Sequence, residues 1–286
     1  MSTTIAFDRL APHYDALAEG ELFRLMRRRT HRVFMQWFRA GHRVLEIGCG
    51  TGLDTAFLAS RGVRVVACDP SEAMVGRTLS RLANEDATDL TTVMPCGLQN
   101  LEMFLEALDE FGPFDGIISN FGALNCVECL EPLADIAAKS LRPRGAILLG
   151  LMGRHCAAEA IYFTFSGRRD QIRRRHAEGA VRVPVAGVDV PTYFHRTSDV
   201  VKTLSRAVEL KAIAGIGVTL PPPYLEPRWQ ALPPIVRTGL VGIDGLLASC
   251  PPFNRLADHV LLQFVRPFDC AQGRPVDCAQ GRRHHA

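Results

Sequence analysis

An apolar strand that runs straight into an acid and a glycine-rich turn constrains this chain more than any other stretch. Residues 44–52 read VLEIGCGTG, and a second apolar run, VVACDP, closes on Asp69. Val44-Leu45-Glu46-Ile47 is short and branched, as expected of a strand buried on both faces of a parallel sheet. Gly48, Gly50 and Gly52 permit positive φ and let the backbone approach a ligand with no Cβ between. Leu53, Ala56, Phe57 and Ser60 then recur at helical spacing, Gly62 suits a helix stop, and Val63–Cys68 reads as the next strand. Strand, turn, helix and strand make one βαβ unit, and such sheets bind ligands outside the carboxyl ends of their strands. Asp69 stands there, 21 residues after Gly48, where an acid hydrogen-bonds ribose hydroxyls.

The same turn discriminates between adenosine-containing cofactors. A dinucleotide fingerprint, G-x-G-x-x-G, places its last glycine at position 53, and position 53 is Leu. A pyrophosphate favours an uncrowded, positive helix N-terminus, whereas Glu46 stands two residues before the first glycine. A carboxylate suits a ligand with a cationic end. S-adenosylmethionine carries an ammonium, a sulfonium and a ribose, and no phosphate. The competing readings are an NAD(P)-dependent oxidoreductase and a non-catalytic S-adenosylmethionine-binding protein.

E-I-G-C-G-T-G together with Asp69 resembles the class I S-adenosylmethionine-dependent methyltransferases. FDRLAPHYD (7–15) is similar to the opening segment of their small-molecule members, the ubiquinone/menaquinone group among them. The resemblance covers residues 7–153 well and 195–266 in outline. It implies an α/β fold: a doubly wound, seven-stranded, mostly parallel Rossmann-like sheet, its last strand antiparallel and hairpin-paired with the sixth, with an inserted cap. It also implies methyl transfer from S-adenosyl-L-methionine, leaving S-adenosyl-L-homocysteine. By the same resemblance Tyr14 lines the site, and Glu46, Gly48, Cys49, Gly50, Gly52, Asp69, Pro70 and Met74 hold the cofactor. Asn120, Phe121 and Asn125 follow the fourth strand, where donor and acceptor contacts are expected. One departure concerns the adenine: the family's G-D-A-x-x-L acid is replaced by Gly97 in PCGLQNL (95–101). The adenine is then left to backbone groups near Gly97 and Leu98, or to Gln99.

Patterning divides the chain into five stretches. Residues 1–40 form a helical N-terminal segment in which 20–39 is amphipathic, with Arg24, Arg27, Arg28, Arg29 and Arg32 between its apolar members. That face reads as solvated, or as a contact for an anionic substrate or membrane surface. Residues 41–153 alternate strand and helix, as a parallel sheet requires; within them 141–153 reads as helix end, turn and fifth strand. Residues 154–196 read as a cap over the acceptor pocket, with helical or mixed structure over 157–176 and two strands about Ala186-Gly187. Tyr193 and His195 share one face of the second strand. Residues 197–267 complete the core: a helix to about Arg206, a sixth strand at 208–214, an extended proline loop at 219–227, a helix over 229–248 and a last strand at His259–Val265. The tail, 268–286, repeats DCAQG at 269–273 and 277–281 and reads as loose chain, with no catalytic role for Cys270 or Cys278.

Methyl transfer from a sulfonium is an in-line displacement, so alignment and exclusion of water matter most. An acceptor that must lose a proton needs a base, and His195, Tyr193, His13 and His155 are the candidates, His195 first. Asn125, Tyr162, Tyr193 and His195 are the candidate acceptor contacts, and the cap's aromatic residues favour a small, apolar or aromatic acceptor.

Composition closes other classes. The 286 residues carry a net charge of +3 and 47% hydrophobic residues, enough for a full core and too balanced for a nucleic-acid surface. No apolar run of about 20 residues is present, so a cytoplasmic monomer or homodimer is expected. Nine cysteines lack paired metal spacing; Cys126 and Cys129 read as free thiols, and no metal is expected.

Overall fold

The computed structural model describes residues 2–98, 100 and 111–268. Gln99, Leu101 and the repeated tail with Cys270 and Cys278 lie outside the described residues. Two helices open the chain, α1 (Ser2–Ala18) and α2 (Glu21–Trp37). The sheet then begins with β1 (Arg43–Ile47), followed by α3 (Leu53–Ala59), β2 (Arg64–Cys68), α4 (Glu72–Asn84), β3 (Thr91–Met94), β4 (Phe114–Ser119) and β5 (Leu141–Met152). A two-stranded hairpin, β6 (Ala180–Val185) and β7 (Val188–Tyr193), precedes the last sheet strands, β8 (Glu209–Ile216) and β9 (His259–Val265).

The seven strands run in the order β3-β2-β1-β4-β5-β9-β8. The pairs from β3 to β5 are parallel, and β9 is antiparallel to both neighbours. The order reverses between β1 and β4, which opens a crevice at their carboxyl ends. The expected antiparallel partnership of the last two strands holds, across a long connection that carries the helices Glu226–Gln230 and Pro234–Leu247.

Each face of the sheet buries its own layer. α2 lays Leu22, Met26 and Phe34 on one face with Phe38 and Trp229. Gly116 of β4 is required there, because a Cβ would stand 2.1 Å from the Phe38 ring. The other face is covered by the helices Glu131–Ser140 and Thr197–Leu204 through Leu133, Ile136, Val200 and Leu204.

Three local expectations are corrected. β5 starts at Leu141, with the turn inside it: the register against β4 jumps from Phe114↔Leu141 to Gly116↔Ala146, and Arg144 takes φ 65°. The proline loop folds into a short turn at Pro223–Leu225 and a helix with Pro227 in its first turn, where a missing N–H costs nothing. For the same reason the single helix expected over 229–248 is two, the second starting at Pro234. In the 154–196 segment, helices Ala157–Phe165 and Arg169–Arg173 flank Gly167 at φ 71°. β6 and β7 meet in a two-residue turn, with Ala186 and Gly187 both at positive φ, as the twist of a tight hairpin requires.

Candidate functional site

The β1–α3 turn is built around Asp69. Its Oδ2 accepts from Gly50 N and its Oδ1 from Ser71 N, both at 2.9 Å. Gly48 N and Cys49 N donate to Cys68 O at 2.8 and 3.0 Å. All three turn glycines have positive φ, between 58° and 78°. A Cβ at Gly48 would meet Ala123, and one at Gly52 would meet Thr78. One at Gly50 would meet nothing within 4 Å, because it points into open cavity.

α1 is strapped over this turn by its two acids. Ser71 caps α4, its Oγ accepting from Met74 N, and the same hydroxyl donates to Asp8 Oδ1 at 2.5 Å. Thr51 Oγ1 donates to Asp15 Oδ1 at 2.7 Å, and Arg81 pairs with Asp15. Phe7 and Tyr14 are thereby held as the roof of a cavity of about 750 Å³, part of it open to solvent. Gly48, Gly50, Asp69, Pro70, Met74, Gly97 and Leu98 line one side, and Asn120–Leu124, Cys126 and Val127 the other.

A second, smaller cavity of about 290 Å³ opens from the same rim. Tyr14, Gly48, Gly50, Asn120 and Phe121 border both. Its wall is polar: Arg27, Glu46, Cys49, Thr51 and Asp54, with Leu53 beside them. Asp54 accepts from Arg27 at 2.5 Å, from Asn120 Nδ2 at 2.7 Å, and lies 2.7 Å from His31 Nε2. Burial alone would raise its pKa, but Arg27 and the hydrogen bonds from His31 and Asn120 hold it well below the usual carboxylate range. Glu46 accepts from Thr55 Oγ1 at 2.5 Å. Burial, and then the charge of Asp54, push it up to about 8. The Arg27 guanidinium also lies 4.4 Å from the centre of the Phe121 ring, which packs on Phe23 and meets His259 edge-on at 5.5 Å.

One half of the site thus holds Asp69 in a mainly apolar slot, and the other a buried Glu46 beside the Arg27–Asp54 pair. The sequence agrees with that geometry: residues 45–147 match the methyltransferase domain family. That stretch, about a third of the chain, is a methyltransferase domain by sequence. The chain is 33% identical over 110 residues to the demethylmenaquinone methyltransferase of Clavibacter sepedonicus, covering 38% of this chain and 41% of that protein. It is 32% identical over 122 residues to the ubiquinone biosynthesis O-methyltransferase of Rhizobium johnstonii, covering 42% and 45%. The matches span less than half the length of these curated relatives. In fold, the CcbJ methyltransferase from Streptomyces caelestis matches with a TM-score of 0.56 at 14% identity, covering 91% of this chain and 96% of that one.

Within this methyltransferase frame several expected residues stand apart from the cavity. His13 is exposed on α1. Tyr162 packs its ring on Phe163. Tyr193 and His195 do share a face, their rings 6.3 Å apart and nearly parallel, but Val190, Thr192 and Phe194 on the opposite face are the buried ones. Tyr193 reaches outward to Glu128 at 3.3 Å, and His195 Nε2 lies 2.9 Å from Val127 O and 3.3 Å from Leu124 O. His195 braces the cavity wall from behind. Asn125 is fully buried, accepting from Met152 N at 2.8 Å and donating to Tyr193 O at 2.7 Å. No residue of 154–196 lines the cavity, so the segment shapes the site through the 120–127 loop and α1.

Three polar residues were not anticipated at the site. Arg27 was grouped with a basic helix face, and Asp54 fell inside the α3 pattern. His259 adjoins Phe121, with its Nδ1 3.1 Å from Asp258 Oδ2. Asp258 in turn accepts from Arg175 at 2.6 Å, and Arg175 also binds Glu159. Cys156, Glu159 and Asp258 converge, and the Arg175 guanidinium pairs with both carboxylates, satisfying charges that a cation would otherwise meet. The only sequence signal for this group is the titratable pair Asp258-His259 where a mostly apolar strand begins.

Proposed function

We propose that this chain transfers the methyl group of S-adenosyl-L-methionine to a small apolar or aromatic acceptor. The observation that carries the reading is the rim shared by two unlike cavities at Tyr14, Gly48, Gly50, Asn120 and Phe121. On this reading Asp69 receives the ribose hydroxyls, and Gly97 and Leu98 flank the adenine. Glu46 receives the ammonium, and the reacting sulfur sits at the rim. A pyrophosphate would instead meet Leu53 and two carboxyl groups, which disfavours a nicotinamide dinucleotide.

The bound cofactor supplies an activated methyl group, so the residues of the chain mainly align and desolvate. Tyr14 and Phe7 close the roof, and Phe121, fixed between Phe23, Arg27 and His259, sets one wall of the approach. His195 is poorly placed as a base, since its Nε2 is engaged by backbone carbonyls, and the Asp258-bound imidazole of His259 stands behind Phe121. Calorimetry with S-adenosyl-L-homocysteine and with NAD tests the cofactor assignment. We expect binding of the first alone; binding of NAD alone overturns the reading.

A further inference from the structure

The helix Pro234–Leu247 lies beside α2 on one face of the sheet. Glu21 pairs with Arg237, and Arg29 pairs with Asp244. The ties are eight residues apart on α2 and seven on its neighbour, so the axes run in the same direction. Their inner sides share one core, with Leu22, Met26 and Phe34 packed near Leu240 and Val241. Their outer sides therefore face the same way.

Those outer sides differ in chemistry. On Pro234–Leu247, Ile235 is 81% exposed and Leu246 80%, flanked by Ile243 and Val236 at 47% and 42%. The only charged residues of this helix, Arg237 and Asp244, are both spent on the inward ties to α2. Its outer face therefore carries no charge: Ile235 and Val236 stand at one end, Ile243 and Leu246 at the other, with Thr238 and glycines between. On α2, Arg24, Arg28 and Arg32 recur every fourth residue, which puts them on one stripe, and all three are exposed. Among the described residues none of the three has an acidic partner.

We infer that this two-helix plate docks the protein on an anionic membrane surface. An interfacial helix needs a large apolar face beside basic residues and no spanning length, and no helix of the described residues is long and apolar enough to cross a membrane. The apolar ridge would enter the boundary between headgroups and acyl chains, and the arginine row would meet lipid phosphates. A second copy docked on this face would instead bury arginines that have no acidic partner. The plate also has a direction: its Ile235 end adjoins Glu21, two residues from Phe23, whose ring packs on Phe121 at the cavity wall.

Cosedimentation of the full chain with phosphatidylcholine vesicles, with and without phosphatidylglycerol, tests this. Wild type should sediment with the anionic vesicles, weakly with the neutral ones, and less as salt rises. Arg24→Gln/Arg28→Gln/Arg32→Gln should weaken anionic binding roughly a hundredfold, at about fivefold per basic residue. Ile235→Asp/Leu246→Asp should abolish it, and both variants should keep wild-type melting and S-adenosyl-L-homocysteine affinity, since the changed side chains are exposed. No sedimentation of wild type with anionic vesicles overturns the proposal, as does binding unaltered in both variants. A wild-type dimer that Ile235→Asp/Leu246→Asp converts to monomer, without vesicle binding, assigns the face to a second copy instead.

Discussion

Glu46 and Asp54 face one pocket, and their surroundings push their proton affinities in opposite directions. Asp54 keeps its charge because Arg27, His31 and Asn120 all attend it. Glu46, with Thr55 as its hydrogen-bond donor, is raised to about 8. The pocket therefore holds one carboxylate already matched by a cation and one carboxyl with no cation hydrogen-bonded to it.

The first prediction is a proton-linked affinity. Without ligand the folded state binds a proton on Glu46 more tightly than the unfolded chain does. Stability therefore falls as pH rises from the ordinary glutamate value to about 8. An ammonium beside Glu46 favours the carboxylate, so binding at neutral pH releases about one proton and affinity climbs with pH up to about 8. Calorimetry in buffers of different ionisation enthalpy measures that release. Glu46→Gln should abolish the release and flatten the pH dependence of both affinity and stability.

Asp69→Ala should weaken S-adenosyl-L-homocysteine binding by ~1.5–3 kcal/mol, the loss typical of hydrogen bonds to a charged group. Unchanged affinity would remove Asp69 from the ribose role.

Two glycines in one turn should fail differently. Gly52→Ala places a methyl 2.7 Å from Thr78 Cγ2 at φ 78°, so it should lower the melting temperature. Gly50→Ala meets no protein atom and carries only the left-handed backbone penalty, about 1–2 kcal/mol. Its methyl occupies the rim, so ligand affinity should fall by more than the stability cost. Denaturant titration and calorimetry on both variants separate the two effects. Equal loss of affinity in both would contradict the geometry.

Arg175→Met should destabilise the fold by ~3–5 kcal/mol, because it leaves Glu159 and Asp258 buried without their shared cation. Adding Glu159→Gln and Asp258→Asn to that variant should recover part of the loss, measured by urea unfolding. A single variant as stable as wild type would show that the triad is not a buried charge cluster in solution.

The β1–α3–β2 unit was legible because each of its constraints is local: branched strand residues, glycines at positive φ and an acid at a fixed distance. The cap hairpin was legible for the same reason, since Ala186-Gly187 suits a tight turn. What sequence could not settle was direction. Strand alternation puts Tyr193 and His195 on one face without saying which face looks at the cavity. Arg27 and Asp54 meet across 27 residues with no periodic signal, so an arginine read as solvated is in fact a pocket wall. Proline misled in two ways: Pro227 sits in the first turn of a helix where an extended loop is expected, and Pro234 starts a second helix where one continuous helix is expected.

The double grip of Asn125 on Met152 and Tyr193, with His195 behind Leu124 and Val127, has an evolutionary consequence. Lengthening or resurfacing the β6–β7 hairpin shifts that far wall without disturbing Gly48–Gly52 or Asp69. On the proposed reading, descendants of this chain can thus keep one donor site unchanged while the wall facing it is reshaped from outside the cavity.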